Sequence, residues 1–255
     1  MKAVILAGGT GTRLKPLTGY LNKHMLPVGR YPMIHYAVAK LQEAGISDIL
    51  LITGRMAAGM FIQYLGSGEE LGVSLTYRIQ EEAGGIAQAL DLAEPFVGNG
   101  EKFVLLLGDN LFEHSLRGYA EQYERQEAGA MVLLKQVEDP HRYGVPTFGE
   151  GKNGRIITRI TEKPEHPDTD FSVTGIYFYD STVFSLIGDL APSQRGELEI
   201  TDLNNAYATR GLLSYATLQG WWADAGTFES LHEAAHQMLA KPSGGSGTEQ
   251  GEGMG

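Results

Sequence analysis

Short apolar runs recur along the first half of the chain and predict strands at residues 3–7, 48–53, 74–80, 102–108 and 130–137. Two more are predicted at 155–162 and 173–179. Stretches of helical period separate the early runs. Residues 33–44 place Ile34, Val38 and Leu41 on one face, 86–93 follow a glycine pair, and 115–127 open on Ser115, a residue suited to an N-cap. The first 135 residues therefore read as βαβα, a mostly parallel sheet covered by helices. Beyond Val137 the pattern turns to shorter strands with polar turns at Asp139-Pro140 and residues 149–154, then helices near 200–210 and from Phe228 to Leu239. This half is expected to supply the remaining strands and a substrate-covering lobe. There is no internal repeat.

With 255 residues and 42% hydrophobic content, the chain can bury a substantial core. Its longest apolar runs, such as 103–107 and 131–134, fall far short of the roughly 20 residues that a membrane span needs. The N-terminus has no pattern of a cleaved leader, so the expected location is the cytoplasm, with no membrane contact. Cysteine is absent, which leaves oxygen or histidine ligands for any metal. The net charge of -11 argues against a nucleic-acid partner. It also means that an anionic substrate must be held by a few placed cations, backbone amides and a divalent ion. Residues 241–255, rich in Gly, Ser and Glu, have almost nothing to bury and are expected to be disordered.

Candidate chemistry starts at Gly8-Gly9-Thr10-Gly11-Thr12-Arg13-Leu14, directly after the first strand. Glycines let the backbone approach a phosphate, and Arg13 adds a planar charged fork. Taken alone, the cluster fits a tight strand-to-helix turn equally well. It departs from the dinucleotide fingerprint at Leu14 and from the phosphate-loop pattern at Arg13. Asp109 ends the strand at 102–108 and is expected at the carboxyl edge of the sheet beside this loop. Asp109 and Asp224 could instead cap the segments that follow them.

The run from Gly8 to Thr18, followed by Asn22-Lys23-His24-Met25-Leu26-Pro27-Val28, resembles the sugar-phosphate nucleotidyltransferases, and among them the glucose-1-phosphate thymidylyltransferases. The similarity continues through Gly108-Asp109-Asn110, Thr161-Glu162-Lys163-Pro164, Val173-Thr174-Gly175-Ile176-Tyr177, Arg195 to Asp202 and Asp224-Ala225-Gly226-Thr227. It implies a Rossmann-like three-layer α/β sandwich with a mixed, mostly parallel central sheet and a smaller sugar-binding lobe. One domain over 1–240 is expected, with a nucleotide-binding half of about 1–137 and a sugar-binding half of about 138–240.

The implied reaction joins a nucleoside triphosphate, dTTP, to a sugar 1-phosphate, glucose 1-phosphate, and gives dTDP-glucose and pyrophosphate. The resemblance assigns catalysis to Arg13, Lys23 and Asp109. Nucleotide contacts fall to Leu6, Gly8, Gly9, Thr10, Gly11, Thr12, Arg13, Gln80 and Gly85. Lys23, Tyr143, Gly144, Glu162, Lys163 and Val173 would meet the sugar phosphate. Asp109 and Asp224 would hold Mg2+. Glu162 and Lys163, as neighbours on a strand, would point to opposite faces and pair poorly.

Glu81-Glu82-Ala83-Gly84 replaces the family's usual Pro-Ser-Pro-Asp, and His24 stands where glutamine is commoner, so neither receives a role. Trp222 is left open between sugar contact and core. UTP or CTP as donor, or a silent nucleotide-sugar-binding protein, are the alternatives, and a homo-oligomer is left open. A glycosyltransferase fits less well, for the chain has Asp109-Asn110-Leu111 in place of Asp-x-Asp. Longer relatives carry further helices forming an effector site; feedback control there, and any effect of removing the tail, are not expected.

Overall fold

The computed structural model describes residues 1–151 and 154–240, so the expected disordered tail at 241–255 lies outside the described residues. The chain runs from β1 (Lys2–Ala7) through β2 (Pro27–Val28) and β3 (Tyr31–Pro32) into α1 (Met33–Glu43), β4 (Asp48–Gly54), α2 (Ala58–Leu65) and β5 (Ser74–Gln80). Next come α3 (Ile86–Asp91), α4 (Glu94–Val97), β6 (Lys102–Leu107), β7 (Asn110–Phe112), α5 (Arg117–Glu124) and β8 (Ala130–Gln136). The antiparallel pair β9 (Gly144–Gly151) and β10 (Gly154–Glu162) precedes β11 (Phe171–Asp180), α6 (Thr182–Gly188) and α7 (Ile200–Thr209). β12 (Leu213–Thr217), β13 (Trp222–Asp224) and α8 (Phe228–Leu239) follow.

Seven strands form one sheet in the order β12-β8-β11-β6-β1-β4-β5. Neighbours are parallel except at β11, which is antiparallel to β6 and β8. β1 is apolar without interruption because both of its faces are covered. Val4 and Leu6 pack with Leu90 of α3 and Leu203 of α7 on one side. Ala3, Ile5 and Ala7 pack with Val38 of α1, Phe61 of α2 and Tyr123 of α5 on the other. The result is the expected three-layer α/β sandwich with a mixed, mostly parallel sheet. Among the described residues no helix is long and apolar enough to cross a membrane.

The strand order sets the position of the ligand crevice. From β1 the chain steps outward to β4 and β5, then returns to place β6 on the other side of β1. Loops leaving the carboxyl ends of β1 and β6 therefore diverge and leave a gap between them, the general ligand position of such sheets. The Gly108 amide, just past β6, donates to the Leu6 carbonyl at 2.9 Å and sets the floor of that gap.

Several elements differ from the sequence reading. α5 starts at Arg117 and stops at Glu124 instead of spanning 115–127; Ser115 Oγ accepts only a 3.4 Å bond from the Arg117 amide, and Leu116 holds the cap position. β9 and β10 stay paired out to Gly151↔Gly154, so residues 149–151 and 154 belong to the strands and not to a turn. α2 and β12 were not expected. α2 is only eight residues long and keeps Ile62 and Tyr64 exposed beside buried Phe61 and Leu65, so its apolar residues mark no single face, and β12 buries only Leu213.

Candidate active site

Glycine geometry lets the loop after β1 lie against a lysine. A Cβ on Gly9 would stand 3.0 Å from Lys23 Cε, and one on Gly11 would stand 2.9 Å from Lys23 Cβ. Gly11 also takes φ 64°, a left-handed conformation costly for other residues, and leads into a single 3-10 turn, Thr12–Leu14, anchored by buried Leu14. Thr18 Oγ1 donates to the Gly11 carbonyl at 2.7 Å and closes the loop. Lys23 itself sits on the 3-10 turn Lys23–Met25, which Asn22 caps: Asn22 Oδ1 accepts from the His24 amide at 2.9 Å.

Lys23 Nζ forms an ion pair with Asp109 Oδ2 just beyond β6. Burial works to raise the Asp109 carboxyl, but the Lys23 ammonium and hydrogen bonds from Lys23 and Asn110 hold it well below the usual carboxylate range. Asp224 has the opposite environment. Burial and the negative charge of Asp109 push it up to about 6, against the pull of Lys23, Arg13 and Arg142. The two carboxylates meet because β7 and β13 pair, with Asp224 opposite Asn110, and the Ala225 amide donates to the Asp109 carbonyl at 3.0 Å.

Asn110 fastens this junction. Its Nδ2 donates to Asp109 Oδ1 at 3.1 Å, while its Oδ1 accepts from the Gly175 amide and from Trp222 Nε1, each at 2.8 Å. Trp222, left open by the sequence, thus holds Asn110 and packs edge-on against Tyr143 at 5.2 Å.

Neither carboxylate is a helix cap. α8 is capped by Thr227, whose Oγ1 accepts from the Ser230 amide at 3.2 Å while Ser230 Oγ accepts from the Thr227 amide at 3.1 Å. Thr227→Ala should cost about 1 kcal/mol and lower the melting temperature by roughly 2–4 °C in a thermal denaturation, because the Ser230 amide, an orphan helix donor, loses its acceptor. An unchanged melting temperature would show that the box contributes nothing.

Two adjoining cavities meet at Asp109. One, of about 370 Å3, is bordered by Leu6, Gly8, Gly9, Thr10, Lys23 and His24, with Gln80 and Gly85 at its far end. The other, of about 220 Å3, is bordered by Arg13, Tyr143, Gly144, Val173, Trp222 and Asp224. Asp109, Glu162 and Lys163 border both. A larger opening of about 740 Å3 lies beyond Gln80 among Tyr20, Arg55, Met56 and Met60, but it holds neither Asp109 nor Asp224. Gly11 and Thr12 border neither of the two smaller cavities and shape the loop instead.

A family model described as Nucleotidyl transferase matches residues 2–241. The chain belongs to the nucleotidyl transferase family. The transferase is 46% identical over 238 residues to the glucose-1-phosphate thymidylyltransferase of Neisseria meningitidis, covering 92% of this chain and 81% of that one. It is 40% identical to the Mycobacterium tuberculosis protein of the same name over 92% of this chain and 81% of the relative. A Bacillus anthracis crystal structure, provisionally described as a glucose-1-phosphate thymidylyltransferase in complex with a sucrose, superposes with a TM-score of 0.89 at 53% identity. That match covers 96% of this chain and 98% of the other. A UDP-glucose pyrophosphorylase complexed with UDP-glucose follows with a TM-score of 0.83 at 26% identity, over 93% and 97% of the two chains.

In this transferase the register of β9 and β10 pairs Glu162 with Gly144 at the open end of the hairpin, so both reach the smaller cavity. Glu162 Oε2 accepts from Thr201 Oγ1 of α7 at 2.7 Å, which orients the carboxylate. Glu162 and Lys163 do pair, Nζ to Oε1 at 3.2 Å, contrary to the strand argument. The strand ends at Glu162, and Lys163 takes φ 44°, which turns its side chain back onto its neighbour. Gly85 answers to packing as well as to a ligand: at φ 101° it lets the backbone meet the Leu198 carbonyl, 2.5 Å from where a Cβ would stand.

Family members use a divalent metal. Among the described residues no group of three or more His, Cys, Asp or Glu could hold an ion. Two carboxylates whose charges repel do suit one that takes most of its ligands from phosphate and water. Sequence reasoning gave no role to Asn110, Arg142 or Arg195. Arg195 borders the 370 Å3 cavity, held by Glu199 at 2.9 Å, and Arg142 lies near Asp224. Arg195 stood within a quoted motif, whereas Arg142 carried no local signal.

Proposed function

We propose that this enzyme transfers a thymidylyl group from dTTP to glucose 1-phosphate with the help of Mg2+. A phosphate oxygen of the sugar 1-phosphate attacks the α-phosphorus, the bond from that phosphorus to the bridging oxygen breaks, and pyrophosphate leaves. The observation that carries the reading is the pair of cavities meeting at Asp109, one ending on the glycine loop and Gln80 and the other lined by Glu162, Tyr143 and Gly144.

The nucleotide lies in the larger of the two. Gln80 offers an amide edge to a pyrimidine; its Nε2 already donates to Gln88 Oε1 at 2.7 Å, leaving the Oε1 side to accept from a ring N–H. Leu6 and the amides of Gly8, Gly9 and Thr10 border the nucleoside and phosphates. The sugar lies in the smaller cavity, where Glu162 accepts from its hydroxyls and Lys163 faces its phosphate. Lys23 is positioned to neutralise the phosphates that converge at Asp109, and Arg13, which borders the smaller cavity with Asp224 and not the larger one, to offset charge that develops at the reacting phosphorus. Asp109 and Asp224 would hold Mg2+, which would supply positive charge against that of the phosphates.

UTP is the second donor to weigh, because the UDP-glucose pyrophosphorylase shares the fold. The thymidylyltransferases are far more similar, at 46% against 26% identity. A pyrophosphate-release assay with glucose 1-phosphate and dTTP, UTP, CTP, ATP or GTP decides. The expected order places dTTP first with UTP, which lacks the base methyl and adds a 2′-hydroxyl, behind by about 10- to 200-fold in kcat/KM, the range that the methyl contact alone supports. No turnover with any triphosphate would leave a binding protein, and a faster rate with UTP would reassign the donor.

A further inference from the structure

The opening of about 740 Å3 beyond Gln80 takes no part in the reaction just described, yet it shares a wall with the nucleotide cavity. Gly8, Gly9, Thr10, Gln80 and Ala83 border both. Three of these five carry nothing larger than a methyl group, so the partition is little more than backbone, Thr10 and the Gln80 amide. That amide is fixed: Nε2 donates to Gln88 Oε1 at 2.7 Å, and Oε1 lies 2.6 Å from where a Cβ on Gly8 would stand.

Three neighbouring strand ends create the opening. β1, β4 and β5 are parallel and adjacent, with Ala7 opposite Thr53 and Gly54 opposite Gln80. The loops that leave them pass through Thr18 and Tyr20, through Arg55 and Met56, and through Glu81 and Glu82, and they enclose the space between. Met56, Ala57, Met60 and Leu21 give it apolar surface, and the Gln80 amide is a polar group at its inner end, a composition that suits a small-molecule pocket. Arg55 Nη2 pairs with Glu81 Oε2 at 2.6 Å and ties two of the loops together. Both partners are exposed, so the pair adds little to stability. Met56 and Tyr20, each 91% exposed, leave the mouth of the opening uncovered among the described residues.

We infer that this opening receives a substituent on C5 of the pyrimidine, so that the enzyme takes as donors 2′-deoxyuridine triphosphates whose C5 group is longer than methyl. This rests on the nucleotide reading given above. N1 of the base carries the pentose, which leads back toward Asp109, so the far half of the ring is C4 with N3 and C5 on either side of it. The N3 hydrogen is taken up by Gln80, and C4 bears an oxygen. C5 is therefore the one far-half position that can carry a group of any length, and a rod attached there points away from N1, past Gln80, to where the opening begins. The reaction is unchanged: the sugar phosphate oxygen attacks the α-phosphorus, pyrophosphate leaves, and the nucleotide sugar keeps the C5 group.

The test is pyrophosphate release by the full chain with glucose 1-phosphate and dTTP, 5-propynyl-dUTP, 5-phenylethynyl-dUTP or N3-methyl-dTTP. Both C5-extended donors should stay within about fivefold of dTTP in kcat/KM, whereas a pocket closed around the methyl would reject them by about 100-fold or more. N3-methyl-dTTP, which cannot donate to Gln80, should fall at least about tenfold behind dTTP. Gly19 borders the opening, a Cβ there would meet nothing within 4 Å, and its backbone lies outside the left-handed region. Gly19→Phe should therefore leave dTTP within about twofold while lowering 5-phenylethynyl-dUTP at least about tenfold, because the new ring fills the space. Rejection of both extended donors by wild type, full activity with N3-methyl-dTTP, or an undiminished 5-phenylethynyl-dUTP rate in Gly19→Phe would each overturn the assignment. The donor series needs only wild type, so it decides even if Gly19→Phe does not fold. Calorimetric binding of dTTP and 5-propynyl-dUTP without sugar phosphate separates this inference from the reaction. Turnover of dTTP with rejection of the extended donors overturns the C5 assignment alone, and equal binding of the two nucleotides without turnover overturns the reaction alone.

Discussion

Asp109→Asn and Asp224→Asn should each lower kcat at least about 100-fold, while shifting the stability of the metal-free protein in opposite directions. Asp109 is the partner of Lys23 and is held below the usual carboxylate range, so its contribution is present above the unfolded value near 3.9 and is lost only as pH falls through the lower folded value. Its amide leaves the Lys23 ammonium without a counter-charge, at a cost of about 1–3 kcal/mol.

Asp224 has the reverse linkage. With a folded value of about 6, it stabilises the fold fully below about 4 and loses that contribution as pH rises through 6. At pH 8 its charge costs the metal-free protein on the order of 1–2 kcal/mol once solvent screening at its partly exposed edge is counted. In chelator at pH 8, Asp224→Asn should therefore melt a few degrees above wild type and Asp109→Asn below it. The Asp224→Asn advantage should fade below pH 5. Mg2+ should raise the melting temperature of wild type and leave both variants nearly unmoved, as it binds only the site that keeps both charges. Near-normal turnover in either variant, or an Asp224→Asn protein less stable than wild type at pH 8, would sink the two-carboxylate assignment.

How far the sequence could be read follows from which forces are local. β1, β4, β6 and β8 were legible because burial on both faces leaves an unbroken apolar run. Asp109 was legible because it follows such a run, where α/β sheets open toward a ligand. β12 was not, since an edge strand with only Leu213 buried carries almost no periodic signal. Asn110 and Trp222 could not be joined from sequence: the hydrogen bond between them spans 112 positions and exists because β7 pairs with β13. The expectation that Glu162 and Lys163 diverge failed at a strand end, where alternation stops and backbone conformation takes over. Gly85 was assigned to a ligand from its neighbourhood, while the Leu198 carbonyl that crowds it comes from a segment more than a hundred residues away.

Arg13 and Lys23 are both cations of the first loops, and the structure separates what their loss should do. Among the described residues Arg13 has no ion pair and no side-chain hydrogen bond; its guanidinium lies against Gly226, 2.7 Å from where a Cβ would stand. No hydrogen bond or ion pair of the free protein depends on it, so Arg13→Ala should change the melting temperature by less than about 2 °C. Its charge does bear on the site, where it counteracts the upward push on Asp224. Arg13→Ala should lower kcat by on the order of 100-fold and move the acid limb of the pH–rate profile upward, because Asp224 must then lose its proton with one neighbouring cation fewer. Lys23→Ala should lose activity as severely but also lose stability, since Asp109 is 8% exposed and, without the ammonium, burial pushes its carboxyl up and leaves it without its partner. Measuring kcat, the pH–rate profile and melting temperature on both variants distinguishes the two roles. An Arg13→Ala protein that fails to fold, or one with an unchanged kcat and acid limb, would show that the guanidinium supports the loop and has no part in the chemistry.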